Sequence, residues 1–482
     1  MNLMHRIKTA VITIAITGIA CLFSCTTDYV TGERTFSLVS ESQEIAMGKE
    51  ADPQIVGEYG LYNDSELATM IDRLGQRLAS VSQRPNLQYT FRVLDSPVIN
   101  AFALPGGYVY VTRGILAHFN SEDQLAGVLG HEIGHVVARH SAEQMSRVQL
   151  ASLGLGVGSL ISEDFQKFAG IAEVGVGLLF LKFSRGQESE SDMLGVEYST
   201  KLGYDANEMA GFFRTLKMMS AGSGQSLPSF LSTHPDPGDR ESNVHALADE
   251  WQAKIAYSPL NKQRYDYLKK IDGIVYGDDP RHGYSGNGMF YHPEMTFQFP
   301  VPSGWTVVNS ASTVQLVSDD KKAVVQLTLG SGSSQAAEVD AFVSKTGATV
   351  VARNQTSVNG FSALMVESKI GGEQPLQILS SFISKDGKIF IFHGFTSPDL
   401  FNTFSLSFRS VMMGFERATD PAVLNKKPAR LAVKQAPRSG SLASVLTALG
   451  MGTDMHAEMA LLNGMNLDDQ IRQGEWIKIV ME

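Results

Sequence analysis

The spacing of apolar positions changes twice along this chain, and each change marks a boundary. Helical spacing starts near Glu41, with Ile45, Ala46 and Ile55 as its apolar positions, and predicts long helices over residues 41–255 around one extended stretch. That stretch, residues 93–113, has β-branched and aromatic residues broken by Pro97 and by Pro105-Gly106-Gly107, which predicts short strands and a turn. Residues 256–288 carry Pro259, Gly273, Pro280 and Gly286 and read as a linker with a short helix. Over 289–418, short apolar runs such as 323–329 and 389–392, bounded by Gly, Ser, Asn and Asp, predict an α+β domain. A second linker at 419–429, rich in Pro, Lys and Ala, leads to a small unit over 430–482. Residues 151–183 are apolar and Gly-rich, but Glu163, Asp164, Gln166 and Lys167 split them into pieces too short for the roughly 20 residues that cross hydrocarbon. A buried or interfacial helical hairpin is expected there.

One helix carries chemistry. Ser121 followed by Gln124 has the form of a capping box, and Glu122 and Asp123 suit the positive end of a helix. Leu125, Val128 and Leu129 give this helix a core face, and His131 and His135, four residues apart, project from one side and can share a metal ion. Glu132 between them can reach a metal-activated water without ligating the metal, as a general base must. Ala138 and Ser141 stand where a metzincin needs Gly and His, which excludes that class. His140 lies about 900° on from His131 and is expected at the surface or in packing. The third ligand is then a carboxylate from another helix. In the helix opening at Ser184, Glu188 and Asp192 share a face, so Glu188 can bind the metal while Asp192 holds a ligating His by its other ring nitrogen. Glu190, about 200° round from Glu188, is expected in solvent.

Composition narrows the field. The 482 residues are 43% hydrophobic and 19% charged, too apolar for a disordered chain and long enough for about three domains. Net charge −10, with no long basic block, argues against nucleic acid as a partner. Both cysteines, Cys21 and Cys25, lie near the N-terminus, so any metal downstream must use His and carboxylates. Arg6 and Lys8 precede about 15 mostly apolar residues, the size of a signal-peptide core, so residues 1–24 are expected to be an export signal. Leu22-Phe23-Ser24-Cys25 resembles a bacterial lipobox, which implies lipidation of Cys25, with Cys21 the poorer candidate, and a tether over 25–40. Thr26 after the cysteine resembles lipoproteins sorted to the periplasmic face of the outer membrane in a Gram-negative cell.

Three ordered stretches together resemble peptidase family M48, close to its exported BepA-like and Oma-like branch. They are the Asn-Ala-Phe-Ala-Leu-Pro-Gly-Gly run at 100–107, His131-Glu132-Ile133-Gly134-His135, and the SRxxExExD stretch at 184–192, where Ser191 replaces the usual Ala. The resemblance covers residues 41–247. It implies a mainly α metallopeptidase domain of gluzincin type with a small β-sheet, binding one Zn2+ per chain through His131, His135 and Glu188, with Glu132 as base. Asn100, Ala101, Phe102 and Ala103 would line up substrate, since extended peptides pair with strand edges and a strand ending at Pro105 belongs at an edge. Thr233-His234-Pro235 with Arg240 is similar to the family's THPxxxxR element. It implies that His234 approaches the zinc, either donating to the reaction's oxyanion or occupying the metal's open position at rest. Residues 430–482 resemble a LysM-like α/β module through Ser439-Gly440-Ser441-Leu442, Leu462-Asn463-Gly464-Met465 and the Gly474–Ile479 stretch, and imply contact with peptidoglycan.

The leading expectation is therefore a multi-domain, lipid-anchored zinc endopeptidase. It would use a zinc-activated water against misfolded or unassembled cell-envelope polypeptides, a substrate class taken from the resemblance. A non-catalytic scaffold or chaperone binding assembly partners or peptidoglycan is the alternative, and intact Glu132 speaks against it. A non-peptide zinc hydrolase is the third reading.

Overall fold

The computed structural model describes residues 25–152, 182–221, 229–234, 237–260, 264–372 and 375–481. The export signal over 1–24 and all but the ends of the hairpin expected over 151–183 lie outside them. The chain forms two compact units, one from residues up to Val56 with Leu61–Tyr276 and Arg430–Met481, the other from Gly57–Gly60 and Gly277–Ala429.

In the first unit, Cys25–Thr27 (β1) pairs antiparallel with Arg34–Phe36 (β2). Glu41–Tyr59 forms α1, whose last three residues are counted with the second unit. Its buried face is not the one that the apolar spacing picks out: Ile45 and Ala46 are exposed, whereas Glu44 and Asp52 are buried together with Ile55. The reason is charge pairing. Glu44 receives hydrogen bonds from Arg84 at 3.1 Å and Arg139 at 2.6 Å, and Asp52 receives two from Arg92 at 2.6 Å and one from Tyr110 at 2.8 Å. Buried charges persist only when paired in this way.

Ser65–Ser80 (α2) is capped by Asp64 and buries Leu67, Ile71, Leu74 and Leu78 at regular helical spacing. Thr90–Leu94 (β3), Ala101–Leu104 (β4) and Tyr108–Thr112 (β5) make a sheet in the order β3-β5-β4, with β3 parallel and β4 antiparallel to β5. β4 is thus an edge strand, as its closing proline predicts. The helices that follow are Arg113–His118 (α3), Glu122–Val137 (α4), His140–Ser152 (α5), Arg185–Lys201 (α6), Asn207–Ala221 (α7), Ser229–Thr233 (α8), Pro237–Lys254 (α9) and Arg264–Ile271 (α10). Among the described residues no helix is long and apolar enough to cross a membrane.

α4 and α6 cross at glycines. A Cβ on Gly195 would sit 2.9 Å from both the Gly127 carbonyl oxygen and the His131 amide nitrogen, and one on Gly130 would sit 3.0 Å from the Gly195 Cα. Backbone contact this close admits no side chain, and it sets the distance between the two helices.

The linker expected over 256–288 is only partly that, because α10 packs into the first unit through Tyr267, Leu268 and Ile271. Residues 430–481 also fold back onto it. Arg430–Gln435 pairs antiparallel with Trp476–Met481, and two helices, Leu442–Ala448 and His456–Asn463, lie between them. Lys478 is fully buried and donates to the carbonyls of Ala117 and Phe119, both at 2.8 Å, while Trp476 stacks on Tyr265 with ring centroids 4.0 Å apart. Sequence position makes these residues a separate tail; their burial makes them part of the first unit.

The second unit is β-rich. Seven antiparallel strands lie in the spatial order 349–358, 361–370, 376–385, 388–396, 323–329, 313–317 and 306–309, beside a four-stranded sheet. Alternation along Lys388–Thr396 sends Phe390 and Phe392 to a core shared with Phe297, Phe299 and Phe408, and Ile389 and Ile391 to the opposite face with Val339. Both apolar runs singled out in the sequence are central strands.

The glycine contact has a measurable sign. Gly195→Ala should lower the thermal unfolding midpoint, at a cost of ~1–3 kcal/mol from overpacking. Gly57→Ala, at a helical position with nothing within 4 Å, should be neutral or stabilising. Equal midpoints for wild type and Gly195→Ala would contradict the contact.

Candidate metal centre

Local sequence places each group. Ser121 caps α4 by accepting from the Gln124 amide at 3.2 Å. The Gln124 side chain accepts from Asn120, one residue before the capping-box partner, so the reciprocal half of the expected box is absent. Ser184 and Gln187 make a complete capping box at the start of α6. α4 therefore carries His131, Glu132 and His135, and α6 carries Glu188 and Asp192, on helices held together at Gly195.

The five side chains, with His234 and Arg240, are all buried. His131 Nε2 and His135 Nε2 face each other at 3.0 Å, and the Glu188 carboxylate lies 3.6 Å from the first and 3.5 Å from the second. His234 Nδ1 completes the group, 3.3 Å from His131 Nε2 and 3.0 Å from Glu188 Oε1. These four ligand atoms lie within 4.8 Å of one another. His131 Nδ1 donates to Asp192 Oδ1 at 2.9 Å, and Arg240 holds both oxygens of that carboxylate at 2.6 and 2.8 Å. Arg240 Nη1 also lies 2.9 Å from Glu188 Oε2, as an ion pair without hydrogen-bond alignment.

Since His131 donates outward to Asp192, its inner Nε2 presents a lone pair to His135. Two ring nitrogens 3.0 Å apart beside a carboxylate are a poor arrangement without a cation and a good one with it. Imidazoles and one carboxylate are the donor set that zinc takes, so the residues fit the metal. Glu132 supplies a second observation: it is fully buried, and among the described residues neither carboxylate oxygen has a hydrogen-bond partner. His234 Nε2 is likewise unpartnered, 3.5 Å from Glu132 Oε1.

Burial pushes the Glu132 carboxyl up, against the pull of His234 and His131. Burial also pushes the His135 imidazole well below its ordinary range. For Glu188 burial works against ionisation, but His234 and hydrogen bonding outweigh it and hold the carboxyl well below the usual range. Burial works against a charged His234 too, yet the Glu188 and Glu132 carboxylates raise it.

The face expected for His140 is not the one observed, and Glu190 is only partly in solvent. His140 is buried on the side of the metal group rather than on the opposite face, with Nδ1 2.9 Å from His135 Nδ1, and the partly exposed Glu190 is bonded to His140 Nε2 at 3.0 Å. Counting degrees past His131 assumes a continuous helix, but α4 ends at Val137 and Arg139 takes the left-handed conformation, φ 58°. The chain turns there, and His140 points back. Of the proposed substrate-lining residues, Ala101 and Phe102 are buried in β4, which packs on α4, and the Asn100 side-chain oxygen is buried without a partner. Phe183 and Phe230, which no pattern singled out, stack on His135 and His234 with centroids 4.0 and 4.5 Å apart.

Residues 65–248 match the sequence model of peptidase family M48. Mitochondrial metalloendopeptidase OMA1 of Schizosaccharomyces pombe is 33% identical over 255 residues, 51% of this chain and 73% of the relative. The β-barrel assembly-enhancing protease of Escherichia coli is 30% identical over 236 residues, 47% of this chain and 48% of its own. The OMA1 of Arabidopsis thaliana is 33% identical over 171 residues, 36% of this chain and 34% of its own. The chain thus spans about half the length of the bacterial relative.

A cation that binds only the folded cluster must stabilise it. Adding zinc to chelator-stripped protein should raise the thermal midpoint, with ~4 kcal/mol gained at free zinc a thousandfold above Kd. Glu188→Ala should lose most of that rise. A midpoint indifferent to zinc in the wild type would count against the cluster as a metal site.

Proposed function

This chain belongs to peptidase family M48 and carries the buried His131, His135, Glu188 and His234 group of a metalloendopeptidase, and from that premise we propose a zinc-dependent endopeptidase for misfolded or unassembled cell-envelope polypeptides. The observation that carries it is the Glu132 carboxylate, fully buried with both oxygens unpartnered among the described residues, beside converging imidazole nitrogens. A structural zinc site has no use for such a group, and burying it unpaired is costly.

His131, His135 and Glu188 hold the metal, and Asp192 and Arg240 fix His131. When bound, zinc supplies Lewis acidity, acidifying a water and polarising a peptide carbonyl. Glu132 takes a proton from the attacking water and delivers it to the leaving amine. β4 offers its free edge to an extended substrate, along Asn100, Ala101, Phe102 and Ala103. His234 sits among the ligand atoms, which favours its role as a plug in a closed resting state over that of an oxyanion donor.

The test is hydrolysis of casein with zinc content measured alongside. Glu132→Gln should retain one zinc and lose roughly 10²–10⁴-fold in turnover. His234→Ala should gain turnover if the plug is right and lose it if the histidine serves the oxyanion. Zinc bound without cleavage by wild type or His234→Ala would favour the non-catalytic scaffold or chaperone.

The envelope setting rests on the signal-like N-terminus and lipobox at Cys25, with support from the E. coli relative's name. Residues 430–481, with their paired end strands around two helices, are the proposed contact to peptidoglycan. In fractionated cells the wild type should incorporate labelled palmitate and sediment with outer membranes and sacculi. Cys25→Ala should abolish labelling; labelling that survives it and disappears in Cys21→Ala would move the anchor.

A further inference from the structure

His131 is oriented by a carboxylate directly, through Asp192. Among the described residues His135 has no carboxylate on its outer nitrogen; it has His140. We propose that Glu190, His140 and His135 form a relay that fixes the tautomer and ring angle of His135, making His140 and Glu190 positioning residues for the metal. This rests on the metal reading above.

Glu190 is an acceptor, and its Oε2 is 3.0 Å from His140 Nε2, so that nitrogen carries a hydrogen. A metal-ligating His135 keeps its lone pair on Nε2 and its hydrogen on Nδ1, which makes His140 Nδ1 the acceptor. The donor, His135 Nδ1, is 2.9 Å from it, and the lone pair of His135 Nε2 faces His131 Nε2 and Glu188. One chain of donations thus ends on a carboxylate at one imidazole's remove, and it serves the purpose that Asp192 serves for His131. Ser191 Oγ, 3.3 Å from His140 Nδ1, adds a weaker second donor to the same acceptor.

The surroundings hold this geometry. Arg139, in its left-handed conformation, is clamped by Glu44 at 2.6 Å and by the Val39 carbonyl at 2.9 Å, which aims the next residue back at α4. α5 is pinned to α6 by Gln144, which donates to Gln187 at 2.7 Å, and by Gln187, which donates to Glu143 at 2.6 Å. His140 is 1% exposed, so no water competes for its Nδ1.

The experiment measures zinc affinity by chelator competition and the visible spectrum of the cobalt-substituted protein, so that it does not depend on turnover. His140→Leu removes the acceptor and should weaken zinc binding ~10–100-fold and alter the cobalt spectrum. His140→Asn puts a carbonyl oxygen near the position of Nδ1 and should stay close to wild type. Should His140→Leu fail to fold, Glu190→Ala against Glu190→Gln makes the same comparison at a partly exposed side chain, with the alanine variant weakened and the glutamine variant retained. Wild-type affinity in His140→Leu or Glu190→Ala, or equal loss in His140→Leu and His140→Asn, overturns the relay and leaves the metal reading intact. A wild type that binds no zinc overturns both.

Discussion

The backbone approach of α4 and α6 is the contact on which the site depends. His131 and His135 can share a metal with Glu188 only if two helices lie closer than side chains normally allow, and Gly195 against the His131 amide and the Gly127 carbonyl permits that. Gly130 and Gly134 continue the contact toward Ser191 and Leu194. The same approach brings Asp192 within 2.9 Å of His131 Nδ1, so one packing decision sets both a ligand and the group that orients another. Spread the helices by a methyl group and both relations are lost together.

Around that contact the structure uses buried charge where most domains use hydrocarbon. Arg240 neutralises Asp192 and faces Glu188; Arg84 and Arg139 share Glu44; Arg92 and Tyr110 hold Asp52. Arg84 also donates to the Val136 carbonyl at 3.0 Å, at the C-terminal end of α4. Buried ion pairs contribute little net stability against well-packed apolar groups, but breaking one leaves an uncompensated charge in the core, so they specify geometry strongly. Here the geometry they specify is that of the helix bearing the metal ligands and of the turn that follows it.

Within this frame Glu132 and His234 have inner atoms without a hydrogen-bond partner among the described residues, and they face each other at 3.5 Å. Polar atoms that a fold leaves unpaired in its interior mark where chemistry or a ligand completes the structure. In the proposed function Glu132 is the base, acting on the substrate, and His234 is the plug, acting on access to it.

By itself the sequence determined the chemistry. Two histidines four apart on a capped helix, with Glu132 between, and two carboxylates four apart on a second capped helix, are relations within one helical period, which local spacing encodes completely. The β-rich character of 289–418 was legible for the same reason, since alternation along a strand is local. Tertiary structure decided what spacing cannot carry. Ile45 lost its expected place in the core to Glu44 because the partners, Arg84 and Arg139, are 40 and 95 residues away. His140 left the predicted face because a left-handed residue, held from a distant helix, ended the periodicity on which the prediction relied. The C-terminal strands joined the first unit because Lys478 finds its acceptors at Ala117 and Phe119, more than three hundred residues back, a pairing to which no local pattern points.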